Sequence, residues 1–394
     1  MNILLVSNYE NDRQESMLRF SASLAGGLRQ AGHKVRVVRP HAFFGRLRCS
    51  DRGLGKWLGY LDKFGAFPFM LKSAIPWADV VHICDHSNAF YSRFLQNIPH
   101  VVTCHDLFGI RSALGEIPQN PTAWTGKQLQ GMILHGLRQA RHVACVSEAT
   151  RRDLLRVAGI PEHRVSRIYN SLNYPYSPME PNQARRRLAR LGVDPSRPFF
   201  LHVGATWYKN RPGLLRIFSI FRRFPGVPDL RLVLVGGPLT AEMRRFVRNN
   251  QLNGVVQELT GVADEDLRAL YSCAAMMLFP SLEEGFGWPI IEAQACGCPV
   301  TTSGWAPMNE IGGTAAMYID PTNPKSAADA LGKALSRLPE MREAGLLNAA
   351  RFRSGMIENY LSLYEAVCKR HAARSSEGAS RPISDSSTFS TSIQ

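Results

Sequence analysis

Two doubly wound α/β domains are what this sequence predicts, on three observations. Short apolar runs of strand length alternate with amphipathic stretches of helix length in both halves of the chain. A proline- and arginine-rich segment, residues 173–198, breaks that alternation once. At 394 residues the chain also exceeds what one hydrophobic core usually supports.

The elements follow in order. Ile3 to Val6 opens the chain as a buried strand, and Ser16 to Arg29 has helical spacing. Gly32 stands where a helix C-cap favours a left-handed residue, and Lys34 to Val38 is the next strand. Val80 to Ile83, Val101 to Cys104 and His142 to Val146 repeat the pattern, each followed by a polar or glycine-containing turn. A parallel sheet places functional loops at the carboxyl ends of such strands. Between them, WLGYLDKFGAFPFMLKSAIPW (Trp57 to Trp77) mixes aromatics with Lys63 and Lys72. It reads either as a core helix or as a helix lying on a membrane interface. The second alternation runs through Phe199 to Val203, Leu232 to Val235, Met276 to Phe279 and Pro299 to Thr302. A last helix near Ile357 to Arg370 carries Leu361, Leu363, Tyr364 and Val367. The expected organisation is a first domain over 1–172, a connection over 173–198 and a second domain over 199–356. A closing helix follows over 357–371, then a serine-rich tail over 372–394 expected to be disordered.

Composition narrows the function classes. Hydrophobic content of 45% and charged content of 20% suit a globular protein. No stretch reaches the roughly 18–20 apolar residues of a membrane span. MNILLVSNYENDRQ enters a strand without a basic leader, so a cytoplasmic enzyme is expected. Eight cysteines without framework spacing point to reduced thiols. HICDH (82–86) and Cys296-x-Cys298 fit no structural zinc spacing, so no metal is expected. The net charge of +15 calls for an anionic partner, yet no nucleic-acid module or aromatic-interleaved basic stripe is present. An anionic membrane leaflet or a diphosphate-bearing substrate accounts for the same excess.

The chemistry concentrates in PSLEEGFGWPIIEAQACGCPV (280–300), which follows a buried strand and places Glu284 and Glu292, with seven residues between them, around a Gly-Phe-Gly turn. Pro289 sits where proline is welcome in a first helical turn. Strand, glycine turn and helix N-terminus together make a seat for an anion or sugar hydroxyls. Upstream, LHVGATWYKNR (201–211) ends a strand at Gly204 and presents Lys209, an ammonium suited to neutralising a diphosphate. VVTCHDLFG (101–109) puts His105 and Asp106 at another strand end.

The E-G-F-G-x-P-x-x-E string resembles the donor signature of family 4 retaining glycosyltransferases of the GT-B fold, and the resemblance extends over roughly residues 1–370. It implies two Rossmann-like domains facing across a cleft, with the final helix crossing back to the first. It implies that Glu284, Gly285, Phe286 and Gly287 face the donor sugar, that Glu292 binds ribose, and that Gly204 and Lys209 meet the diphosphate. Val262, in TGVADEDLRALY with its helix expected to be capped at Asp264, would contact the base, and His105 would reach the sugar from across the cleft. Ser16, Asp85, His86 and Asp106 fall on the acceptor side, while Glu310 is either a site residue or a structural cap. The co-substrate is a nucleotide-diphosphate sugar with no cofactor. The acceptor is a glycan or polyprenyl-diphosphate-linked glycan in cell-surface polysaccharide synthesis, with peripheral contact on the inner face of the membrane. Retention without a carboxylate nucleophile implies front-face attack. Two departures stand out. Ala205, Thr206 and Trp207 occupy the places where the family carries an arginine, so the basic pair is incomplete or Arg211 supplies the second charge from elsewhere. Gln14, Glu15 and Ser16 replace the family's glycine pair. They keep open a non-catalytic nucleotide-sugar-binding role, beside other chemistries such as epimerase or phosphorylase.

Overall fold

The computed structural model describes residues 1–12, 14–44, 54–227 and 229–379. Among them are two six-stranded sheets, parallel throughout. The first comprises β1 (Asn2–Val6), β2 (Lys34–Val38), β3 (Val80–Ile83), β4 (His100–Cys104), β5 (His142–Cys145) and β6 (Val165–Arg167), in the order β2-β1-β3-β4-β5-β6. The second comprises β7 (Phe199–Val203), β8 (Arg231–Val235), β9 (Val256–Leu259), β10 (Met276–Phe279), β11 (Val300–Ser303) and β12 (Ala316–Ile319), in the order β12-β11-β10-β7-β8-β9. The central strands are apolar because helices cover both faces; Met276–Phe279 and Val80–Ile83 are fully buried. The sequence pattern omitted β6, β9 and β12. Each is an edge strand, and VSR and VQEL carry polar residues because one side of an edge faces outward.

Strand order fixes where ligands bind. The order in which strands are added reverses between β1 and β3 in the first sheet and between β7 and β10 in the second. Such switch points open a crevice at the strand carboxyl ends. The loops after β7 and β10 are tied together there by Leu282 N–H donating to the Tyr208 carbonyl at 2.7 Å.

The Met356–Ala379 helix returns to the first sheet. Tyr360, Leu363, Tyr364 and Val367 pack with Ile3, Leu5, Phe20 and Val80. A buried chain of polar groups pins it: His82 Nδ1 lies 2.6 Å from the Tyr364 hydroxyl, His82 Nε2 lies 2.7 Å from Thr103 Oγ1, and Thr103 Oγ1 lies 2.8 Å from the Tyr360 hydroxyl. The helix runs past His371 to Ala379, so 372–379 are helical where the serine-rich tail was expected to be disordered; 380–394 lie outside the described residues.

The Trp57–Trp77 segment packs one face on the core and leaves other residues exposed. It is helical from Leu54 to Trp77 with a π-helical stretch at Leu61–Ala66. Phe67 and Leu71 face the core, while Trp57, Leu61 and Phe69 form a solvent-facing stripe at four- and eight-residue spacing. Phe69 is 75% exposed.

Candidate functional site

Both switch points open onto one interdomain cleft of about 580 Å³. From the second domain it is lined by Gly204, Ala205, Thr206, Lys209, Gly236, Glu284, Gly285, Phe286, Gly287 and Glu292. The first domain contributes Glu15, Ser16, Met17, Arg19, His105 and Asp106.

Gly287 sits at φ 98°, a left-handed conformation that lets the chain turn sharply from β10 into the Trp288–Ala295 helix, with Pro289 in its first turn. That helix is buried all round, and Glu292 is buried within it, beside the Tyr271 hydroxyl that donates to its Oε2 at 3.0 Å. Burial pushes the Glu292 carboxyl up to about 7, against the opposing pull of the Tyr271 hydrogen bond and the Arg19 and Lys209 charges. In the preceding loop Glu284 Oε1 accepts from Lys209 Nζ at 2.6 Å, with both side chains nearly buried. Lys209 ends the turn after β7 and lies 4.4 Å over the Phe279 ring. This pairing holds a cation beside the start of the Trp288–Ala295 helix.

Gly285 is where the domains touch. A Cβ there would stand 1.9 Å from the His105 carbonyl oxygen, so only glycine permits the approach. Ser147 Oγ and Thr150 Oγ1 donate to the Gly285 carbonyl at 2.7 and 3.2 Å. Arg111 forks onto both oxygens of Glu283 at 3.0 and 3.2 Å. Glu310 is a structural cap, accepting from the Glu148 and Ala149 N–H groups of the Glu148–Ala158 helix.

His105 donates Nε2–H to the Cys84 carbonyl at 2.9 Å, which fixes its tautomer and leaves Nδ1 as an acceptor. Burial holds its pKa below the usual histidine value. Beside it, His86 Nδ1 lies 3.0 Å from Asp85 Oδ1, and His86 Nε2 lies 3.8 Å from Asp106 Oδ1. Burial opposes the imidazolium, but the Asp85 carboxylate prevails and pushes His86 up to about 10. Asp85 is itself buried and accepts from Asn8 Nδ2 at 2.5 Å and the Ser87 N–H at 3.1 Å. Asp106 faces the cleft, whereas Asp85 and His86 lie behind it. Among the described residues no three of His, Cys, Asp or Glu converge as metal ligands.

Two expectations are revised. Arg211 is buried, donating to the Gly237 and Val235 carbonyls, and does not line the cleft; it is not the missing cation. Asp264 does not cap its helix; Ala263 holds the cap position and Asp264, one residue in, pairs with Arg19 at 2.6 Å across the cleft. Val262 packs against the second domain's core. Arg19, Tyr271, Asn170 and Asn173 join the site without a sequence signal of their own. Both Asn170 amide atoms, Asn173 Oδ1 and His105 Nδ1 are buried in the cleft wall without a hydrogen bond, an arrangement native proteins rarely leave unexplained.

Comparison with known proteins agrees with this architecture. Residues 18–174 match the family model described as Glycosyltransferase Family 4, and residues 197–337 match Glycosyl transferases group 1. Together the two models span more than half of the chain. The chain belongs to the group 1 glycosyltransferases of the GT-B fold. O-antigen chain mannosyltransferase B of Escherichia coli is 30% identical over 244 residues, 57% of this chain and 60% of that protein. O-antigen chain mannosyltransferase RfbU of Salmonella typhimurium is 27% identical over 53% of this chain and 55% of its own length. The chain therefore matches less than two thirds of either relative. Among solved structures, a glycosyltransferase from Rickettsia africae superposes with a TM-score of 0.68 at 17% identity, covering 93% of this chain and 98% of its own. Anabaena HepE, solved with UDP and glucose, gives 0.65 at 16% identity over 95% and 99%. At such identities the GT-B fold is what these likenesses establish. Within this family member no described helix is long and apolar enough to cross a membrane.

Proposed function

We propose that this protein is a retaining glycosyltransferase that moves a hexosyl group from a nucleotide-diphosphate sugar to a glycan or lipid-linked acceptor in cell-surface polysaccharide synthesis. The observation that carries the reading is the Lys209–Glu284 pair at 2.6 Å, set at the mouth of the Gly287-capped helix with Glu292 buried one turn further on. Lys209 and the helix N-terminus stabilise the departing diphosphate. Glu284 and the Gly285–Gly287 backbone hold sugar hydroxyls, Glu292 holds the ribose and the Val262 turn the base. His105, neutral with Nδ1 open, accepts from a sugar hydroxyl. In front-face transfer the bond from the anomeric carbon to the phosphate oxygen breaks, and the acceptor oxygen bonds on the same face. The acceptor's proton passes to the leaving phosphate oxygen, with Asp106 and Ser16 beside the acceptor's approach. None of these steps assigns a role to a metal or cofactor. The mannosyltransferase names of the two bacterial relatives support a role in O-antigen-type polysaccharide assembly.

Peripheral membrane contact is part of the same reading, on the inner leaflet facing the cytoplasm. The Trp57–Leu61–Phe69 stripe, with Lys72 exposed beside it, suits an anionic interface. Its test is sedimentation with anionic vesicles at low salt; complete retention in the supernatant refutes it.

The donor site is tested by thermal shift with UDP, GDP, ADP and dTDP and their sugar conjugates, on wild type and Lys209→Ala. One nucleotide stabilising wild type and not the variant is the expected result. No shift with any nucleotide overturns the reading.

A further inference from the structure

The diphosphate of the proposed donor carries two negative charges, and the cleft that would receive it is rich in carboxylates. Glu15, Asp106, Glu284 and Glu292 line it, and Lys209 is already engaged by Glu284. The turn after β7 adds no second cation, because Ala205, Thr206, Trp207 and Tyr208 precede Lys209. Arg211 is buried under the Gly236–Gly237 turn and held by backbone carbonyls. Among the described residues lining the cleft, one other arginine or lysine remains, and it comes from the opposite domain: Arg19.

Arg19 projects from the Glu15–Gln30 helix of the first domain and places Nη1 2.6 Å from Asp264 Oδ1 of the second. Its side chain is 45% exposed, so the rest of its fork of N–H donors faces solvent in the cleft. Its charge and that of Lys209 both act on Glu292, and Lys209 is in addition bonded to Glu284. Lys209 is held by the Glu284 loop, whereas Arg19 is held by Asp264 at the start of the Asp264–Cys273 helix, whose Tyr271 hydroxyl donates to Glu292, the residue read as the ribose ligand.

We propose that Arg19 is the second phosphate-binding cation of the donor site, supplied in trans across the cleft and directed at the phosphate nearest the ribose. This rests on the reading of the cleft as a nucleotide-sugar site. A planar guanidinium can grip a phosphate with two N–H groups while a third stays on Asp264. Donor binding then draws the first domain's helix onto the second domain, so the contact that replaces the family's arginine also couples occupancy to closure.

The test measures the affinity of UDP, UMP, GDP and GMP for wild type, Arg19→Ala, Arg19→Lys, Lys209→Ala and Asp264→Asn by calorimetry at fixed ionic strength. Arg19→Ala should weaken the preferred monophosphate and its diphosphate alike, by about tenfold or more. Arg19→Lys should recover part of the loss. Lys209→Ala should weaken the diphosphate and spare the monophosphate. Asp264→Asn, which frees the guanidinium, should bind as well as wild type or better. Wild-type affinities in Arg19→Ala, or a loss in Asp264→Asn as large as in Arg19→Ala, overturn the proposal and leave Arg19 as an interdomain ion pair. Diphosphate affinity unchanged in Lys209→Ala, or no nucleotide bound by wild type, defeats the underlying donor-site reading instead.

Discussion

Gly285→Ala tests whether the acidic loop must meet the first domain for transfer to occur. The added Cβ would lie 1.9 Å from the His105 carbonyl oxygen and 3.0 Å from Asp106 Cβ. Carbon–oxygen contacts settle at about 3.3 Å or beyond, so the loop and β4's end must separate by about 1.4 Å. Neither partner is a flexible side-chain tip, and the Ser147 and Thr150 hydrogen bonds to the Gly285 carbonyl stretch with the same movement. A displacement of about 1 Å at a reacting centre costs on the order of 10²-fold in rate. That corresponds to about 2.7 kcal/mol of transition-state stabilisation. The assay is kcat/KM for nucleotide-sugar turnover, with nucleotide affinity measured in parallel to check that the second domain is intact. Gly332→Ala serves as the comparison, since its Cβ would meet nothing within 4 Å inside a helix. A Gly285→Ala enzyme within threefold of wild type refutes the claim that this contact assembles the site.

Other expectations follow from the same geometry. Lys209→Met removes one member of a nearly buried ion pair and should cost about 3 kcal/mol in urea unfolding, whereas Lys209→Met with Glu284→Gln should recover most of it. Equal losses in both would show that the pair is not coupled. Glu292, pushed up to about 7 by burial, should need its charge to receive ribose hydroxyls, so nucleotide-sugar affinity should strengthen as pH rises through about 7. A Glu292→Gln variant should lose that dependence, and an identical profile in the variant refutes the assignment. His82 is buried neutral with its pKa brought down to about 3 by burial, below the unfolded value of 6.5. Its contribution is therefore complete above pH 6.5 and is lost as pH falls toward 3, at about 1.4 kcal/mol per pH unit. Thermal unfolding at pH 6.5 and 4.5 should show this fall, and a smaller one in His82→Gln.

The sequence by itself determined what is local and repetitive. Buried parallel strands read as continuous apolar runs, so Val80–Ile83 and Met276–Phe279 were legible, and the turn chemistry of Gly-Phe-Gly followed by Pro289 located Glu284 and Glu292. Lys209 was legible because it follows the end of a buried strand by one short turn. Edge strands β6, β9 and β12 were not, since a strand paired on one side carries polar residues and looks like loop. Tertiary structure alone decided the rest. The sheet order brings the β7 and β10 loops side by side, which is why Lys209 meets Glu284 across 75 residues of chain. The closing of two domains puts Arg19 on Asp264, 245 residues away, and seats Gly285 on His105. Arg211 matched the chemistry sought from the chain, yet its side chain turned into the core and satisfied carbonyls there. Residue type and spacing fix what a side chain can do; which groups face one another across a cleft depends on the path of the backbone between them, and no local pattern records that path.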